Sequence, residues 1–169
     1  MKRFTYFCMS LGSLLVSALS ACGQKSYEEK LESLYEHTVP LMTPQALDSL
    51  QQQKSSVTLL DTRSPEEFEV SHLQQARFID YDSFEISELQ DVSKEDTVVL
   101  YCSVGYRSER IGEKLQKAGY RHVYNLYGGI FQWKNEGKEV FTPQNQPTDS
   151  VHTYNRNWSK WLEKGTKVY

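Results

Sequence analysis

Five consecutive residues without a charge or a turn former, Thr97-Val98-Val99-Leu100-Tyr101, constrain this chain more than any other stretch. They are β-branched or apolar throughout, which predicts a strand covered on both faces, as in the centre of a parallel sheet. Val57-Thr58-Leu59-Leu60-Asp61 and His122-Val123-Tyr124-Asn125-Leu126 read as two more strands. His72-Leu73 through Phe78-Ile79 reads as a connection ending in a short one. Between them the apolar period becomes helical. Thr43-Pro44 caps a helix with Ala46, Leu47 and Leu50 on one face, and Ser64-Pro65-Glu66-Glu67 is a capping box with proline at the first helical position. Ile111, Leu115 and Ala118 mark a helix over 107–118 that Gly119 can end, and Gly128-Gly129 opens another through Ile130, Trp133 and Lys134. Residues 80–96 are acidic and irregular, with one or two helical turns within 83–90. Strands alternating with helices from Val57 to Lys138 predict an α/β fold with a mainly parallel sheet covered on both faces.

The two ends of the chain read differently. Lys2-Arg3 precedes an apolar run through Leu11, Leu14, Leu15, Val16 and Leu19 that is too short and serine-rich to span a membrane. Leu19-Ser20-Ala21-Cys22-Gly23 resembles the bacterial lipobox, which implies that residues 1–21 are a signal peptide and that Cys22 is lipidated. The expected location is the bacterial cell envelope, outside the cytoplasm. Gly23, in place of an aspartate, favours the outer over the inner membrane. Removing 1–21 leaves 148 residues and moves the formal charge from −3 to −5, so no nucleic-acid partner is expected. Ser26 and Glu29 match a capping box for a helix of about ten residues through Tyr27, Leu31, Leu34 and Tyr35, a spacer within residues 22–40; His37 beyond it reads as surface. At the other end, 143–147 reads as a polar linker. Tyr154, Trp158, Trp161 and Leu162 then share one face of an expected amphipathic helix within 143–169, docked over core or a sheet edge.

Chemistry concentrates at Cys102-Ser103-Val104-Gly105-Tyr106-Arg107-Ser108, directly after the central strand. With Cys8 in the signal and Cys22 committed to lipid, Cys102 is the one thiol expected to stay free. A strand-to-helix loop in which Gly105 can take positive φ turns backbone amides of Ser103, Val104, Gly105, Tyr106 and Arg107 inward. The helix N-terminus behind them favours an anion at the same place. Such a loop holds either an activated sulfur nucleophile or a bound oxyanion, and Arg107 either adds a cation or braces the loop. A metal site is not expected, because neither a second free cysteine nor a paired histidine spacing accompanies Cys102. Asp61 and Arg63 close the neighbouring strand, where ligand sites of open α/β sheets lie.

The loop resembles the C-x-x-G-x-R-S active-site loop of single-domain rhodaneses. Asp61-Thr62-Arg63 with Glu67-Phe68 is similar to that family's D-x-R…E-[YF] segment, His72-Leu73…Ala76 to H-I-x-G-A, and Leu126-Tyr127-Gly128-Gly129…Trp133 to L-x-G-G…W. The resemblance covers about 41–142 and implies a three-layer α/β/α rhodanese-like domain. It also implies a sulfurtransferase needing no metal or organic cofactor. Cys102 would take the outer sulfur of a donor such as thiosulfate as a persulfide. It would then pass that sulfur to a thiol or cyanide-like acceptor, with a protein as a further possible donor or acceptor. Asp61, Arg63 and Ser108 are implied as structural support, and His72 as structural. Gln75 stands where the family has glycine, which implies a rearranged turn after His72. From Cys102 to Arg107 the loop counts six residues, one fewer than in the related phosphatases, which favours sulfur over phosphoester or arsenate chemistry. A binding or sulfur-sensing module is the remaining alternative, although inactive relatives usually lose the cysteine that this chain keeps.

Overall fold

The computed structural model describes residues 27–53 and 55–169. The signal segment, Cys22 and Ser26 of the expected capping box lie outside the described residues. Two compact units divide the chain after Ser33. In the first, residues 27–32 are helical. The helix stops there, where the Ser33 hydroxyl donates to the Lys30 carbonyl at 2.6 Å and offers the backbone an alternative to another turn. Leu34 and Tyr35 belong to the second unit.

That unit is built on a five-stranded parallel sheet of β1 (Leu41–Met42), β2 (Val57–Asp61), β3 (Arg77–Phe78), β4 (Thr97–Tyr101) and β5 (His122–Leu126), in the order β1-β5-β4-β2-β3. The uncharged run that opened the sequence reading is the central strand β4, with Leu100 between Leu60 of β2 and Asn125 of β5. Successive side chains alternate faces. Val98 and Leu100 join Leu60, Val123, Ile111, Leu115, Phe84 and Leu89 in one core cluster, while Val99 and Tyr101, equally buried, point to the other face. The fold is α/β, with both sheet faces covered.

The helices α1 (Pro44–Gln52), α2 (Pro65–Val70), α3 (Tyr106–Lys117) and α4 (Gly129–Asn135) fall within a residue or two of their expected places. Thr43 caps α1 by accepting the Ala46 amide, and both halves of the Ser64–Glu67 capping box form on α2. Within the irregular 80–96 stretch the helical turn is a 3-10 helix, Ile86–Leu89. After His72 the chain makes a closed turn with Gln75 at the position where the family has glycine. Gln75 takes φ +62°, the conformation that glycine would supply, and the Ala76 amide still reaches the Leu73 carbonyl at 3.1 Å. A side chain in the left-handed region costs about 1–2 kcal/mol, which the buried surroundings of Leu73 offset.

The C-terminal segment departs from expectation. The polar stretch 143–147 is not a linker: 142–146 form the turn of a hairpin between β6 (Val140–Phe141) and β7 (Pro147–Thr148), with Asn145 at φ +57°. The expected amphipathic helix is replaced by a parallel pair, β8 (Ser150–His152) and β9 (Thr166–Val168), whose connection holds only a 3-10 turn at Ser159–Trp161. Local polar groups prevent the helix. The Asn155 side chain accepts the Asn157 amide at 2.9 Å and the Trp158 amide at 3.3 Å, forming an Asx turn. Beyond the 3-10 turn, Asn135 of α4 takes the Glu163 amide at 2.7 Å, so the chain is captured there and does not coil. The segment does dock, as expected, with Ser71 donating to the Ser150 carbonyl at 2.6 Å and Lys134 paired to Asp149 at 2.6 Å.

Candidate active site

Cys102 follows β4 directly and is 1% exposed. The four peptide carbonyls from Cys102 to Gly105 are each held from outside the loop. Those of Cys102 and Ser103 accept the first amides of α4, Ile130 at 2.9 Å and Phe131 at 3.2 Å. The Val104 carbonyl accepts the Tyr35 hydroxyl at 2.6 Å, and that of Gly105 accepts the Asn125 side-chain amide at 2.9 Å. In a planar trans peptide the carbonyl and the following N–H point in opposite directions. Fixing the four carbonyls outward therefore turns the amides of Ser103, Val104, Gly105 and Tyr106 inward. The Gly105 amide accordingly donates to Cys102 Sγ at 3.1 Å.

Close approach makes two glycines necessary here. Gly105 sits at φ +99°, and a Cβ on it would meet the Tyr35 hydroxyl at 2.5 Å. Gly129 sits at φ +56°, where a Cβ would lie 2.2 Å from the Cys102 carbonyl oxygen. Ser108 supports the same frame, because its hydroxyl donates to Asn125 Oδ1 at 2.7 Å and orients the amide that holds Gly105.

Arg107 turns toward Glu67 of α2. Its two terminal nitrogens each lie 2.8 Å from a different carboxylate oxygen, the fork geometry of a bidentate pair. The Ser103 hydroxyl donates to Glu67 Oε1 at 2.6 Å and accepts from Arg107 at 3.1 Å. Burial pushes the Glu67 carboxyl up, but the hydrogen bonds and charge of Arg107, the charge of Arg63 and the Ser103 hydroxyl outweigh it and hold it at about 2. Arg107 is held charged well above its usual range for the same reason: burial is outweighed by Glu67, with Cys102 adding to the effect. Both expected roles for Arg107 are displayed: it braces the loop through Glu67 and Ser103, and its charge acts on Cys102.

Asp61 and Arg63 form a fully buried pair, with Arg63 Nη2 at 2.7 Å from Asp61 and also bonded to the Ser71 carbonyl. They tie the end of β2 to the end of α2 and do not line the cavity at Cys102. His72 stacks on Phe68 with ring centroids 4.3 Å apart and bridges to Phe141, away from that cavity. His37 is exposed, as expected.

The cavity above Cys102 has a volume of about 470 Å³. Ser103, Val104, Tyr106 and Arg107 line it from the loop, and Tyr154 and Trp158 line it from the C-terminal segment. Arg107 lies 5.6 Å from the centroid of the Tyr154 ring. Five residues at the site are not legible as such in the sequence reading: Glu67, Tyr35, Tyr154, Trp158 and Asn125. The cap accounts for Glu67 in the sequence, and an expected helix face for Tyr35. Tyr154 and Trp158 were assigned to a helix that does not form. Asn125 carried a signal, an amide side chain inside an otherwise apolar strand, where a buried polar group needs a partner.

Comparison with known proteins agrees with this geometry. The model of the rhodanese-like domain matches residues 43–136, more than half of the chain, and the protein belongs to that family. An uncharacterized protein of Synechocystis is 32% identical over 106 residues, covering 63% of this chain and 58% of that protein. A probable adenylyltransferase/sulfurtransferase of Mycobacterium tuberculosis is 30% identical over 96 residues, covering 56% of this chain and 24% of its own length. Among solved structures, a thiosulfate sulfurtransferase from Pseudomonas aeruginosa shares the fold with a TM-score of 0.58 at 20% identity, over 73% of this chain and 24% of that one. The chain spans less than two thirds of the length of these relatives.

Proposed function

We propose that the protein is a sulfurtransferase in which Cys102 carries sulfane sulfur as a persulfide, taken from a donor, with thiosulfate among the candidates, and passed to a thiol or cyanide-like acceptor. One observation carries the reading: the Gly105 amide on Cys102 Sγ, within a loop whose carbonyls are all anchored outward. Inward amides lower the energy of an anionic sulfur without a proton donor or a metal. The thiolate attacks the outer sulfur of the donor, the donor's S–S bond breaks, and its electron pair leaves with the inner fragment. The acceptor then attacks the outer sulfur of the persulfide and restores the thiolate.

The Arg107–Glu67 pair weighs against phosphoester or arsenate chemistry. An arginine forked onto a carboxylate has much of its charge offset and several of its five donors taken, which leaves less of it for any tetrahedral oxyanion, thiosulfate included. Peptide mass spectrometry after treatment with thiosulfate or polysulfide tests the proposal. One added sulfur on the peptide carrying Cys102 is the expected result, and an unmodified peptide with every donor leaves only a binding role.

The envelope location rests on the lipobox-like run ending at Cys22. We propose a lipid anchor there, with the outer membrane favoured. Radiolabelled palmitate should enter the wild-type protein in a bacterial host and be lost in Cys22→Ala; equal labelling of the two would rule out this anchor.

A further inference from the structure

The walls of the Cys102 cavity have two origins. The loop supplies the floor, within residues 43–136 that match the family, whereas Tyr154 and Trp158 lie beyond that match and belong to the connection between β8 and β9. Aromatic and aliphatic side chains dominate the walls: Leu34, Tyr81, Val104 and Tyr106 with the two C-terminal rings. Charge is scarce there. Among the described lining residues Arg107 is the one cation, and both of its terminal nitrogens are committed to Glu67. Asp82, exposed at the rim, adds a negative charge. A small dianion entering this cavity gives up its hydration for the loop amides and one arginine whose charge a carboxylate already offsets, and it passes an aspartate, whereas an apolar group meets aromatic and aliphatic walls.

We propose, on the basis of the sulfur-transfer reading above, that the donor at this site is an organic persulfide with an apolar, ring-sized group seated against Tyr154 and Trp158, and that thiosulfate is the poorer substrate. The cavity of about 470 Å³ lies in the range that holds a small organic ligand. The step balances without a co-reactant. The Cys102 thiolate attacks the terminal sulfur of R–S–SH, an Sγ–S bond forms, and the donor S–S bond breaks. The electron pair leaves on R–S⁻ while the proton stays on the transferred sulfur. Tyr154 and Trp158 are then specificity residues, acting on the group that departs.

The test measures second-order rate constants for loading Cys102 from benzyl persulfide and from thiosulfate, by acid quench and intact-mass spectrometry. Each is normalised to the same donor's reaction with free cysteine. The normalised preference for benzyl persulfide is expected to be about tenfold or more in the wild type, and to fall about five- to tenfold in Tyr154→Ala and in Trp158→Ala. Tyr154 is 58% exposed, so its truncation leaves the core intact. Asp82→Lys reverses charge at the rim and should raise the thiosulfate constant about threefold, more at low than at high salt. A wild-type preference for thiosulfate, or a ratio unmoved in both aromatic variants, overturns the inference. Failure of both donors to load Cys102 instead overturns the sulfur-transfer reading beneath it.

Discussion

Gly129→Ala is expected to cost about 3–4 kcal/mol of stability and to lower the melting temperature by about 10 °C, with loss of sulfur loading in the surviving folded protein. The added methyl would meet the Cys102 carbonyl oxygen at 2.2 Å and the Ser103 carbonyl carbon at 2.8 Å, and both are backbone atoms that cannot swing aside. Relief requires the start of α4 to move away from the loop. That movement releases the Ile130 and Phe131 amides from the carbonyls they hold. Once those carbonyls are free, nothing keeps the Ser103 and Val104 amides turned inward. Gly119→Ala supplies the control. It also has positive φ, at +94°, but its nearest neighbour is the end of the Lys94 side chain at 3.5 Å, so it should cost only about 1–2 kcal/mol. Equal losses for the two variants, by urea or thermal unfolding, would show that the contact with the loop carries no special weight.

Glu67→Gln is expected to lose about 2–3 kcal/mol at neutral pH and to change how stability depends on acid. Removing one partner of a buried pair strands the other, and the small exposure of Arg107 keeps the loss near the lower end of what such breaks cost. The acid dependence follows from the depressed carboxyl. A group at about 2 in the folded protein, against 4.5 when unconstrained, binds its proton in the unfolded chain first as pH falls. The folded state therefore keeps the full contribution above about 4.5 and loses it progressively down to about 2, an amount of about 3 kcal/mol. The difference in unfolding free energy between wild type and Glu67→Gln should thus shrink across that window. A difference that stays constant from pH 5 to pH 2 would disprove the linkage.

What was legible in the sequence follows from how few structures a given run permits. An uncharged run such as Thr97–Tyr101 has no stable place except between covered faces, and a cysteine, glycine and arginine directly after it leave few geometries for the loop. The carbonyl anchors were not legible, because they come from Tyr35, Asn125 and the α4 amides, residues far away in sequence and unremarkable one by one. Glu67 was hidden by having two roles: the carboxylate that closes the α2 cap on the Ser64 amide also receives Arg107. Tyr154, Trp158, Trp161 and Leu162 misled because their spacing matches a helix face. Leu162 is indeed buried, but Tyr154 and Trp158 serve the cavity, and the Asx turn at Asn155 breaks the period between them. Gln75 shows the limit of reading residue type alone, since a glutamine holds the left-handed conformation that favours glycine.

The outward carbonyls have a bearing on speed. Each is tied to a different partner within the fold, so the dipoles around the sulfur are aligned without any ligand. The reorganisation energy of charging a sulfur, which water would demand at every turnover, falls instead within folding, where it is met once per molecule. In the proposed transfer, sulfur would enter and depart over a backbone that folding has already set.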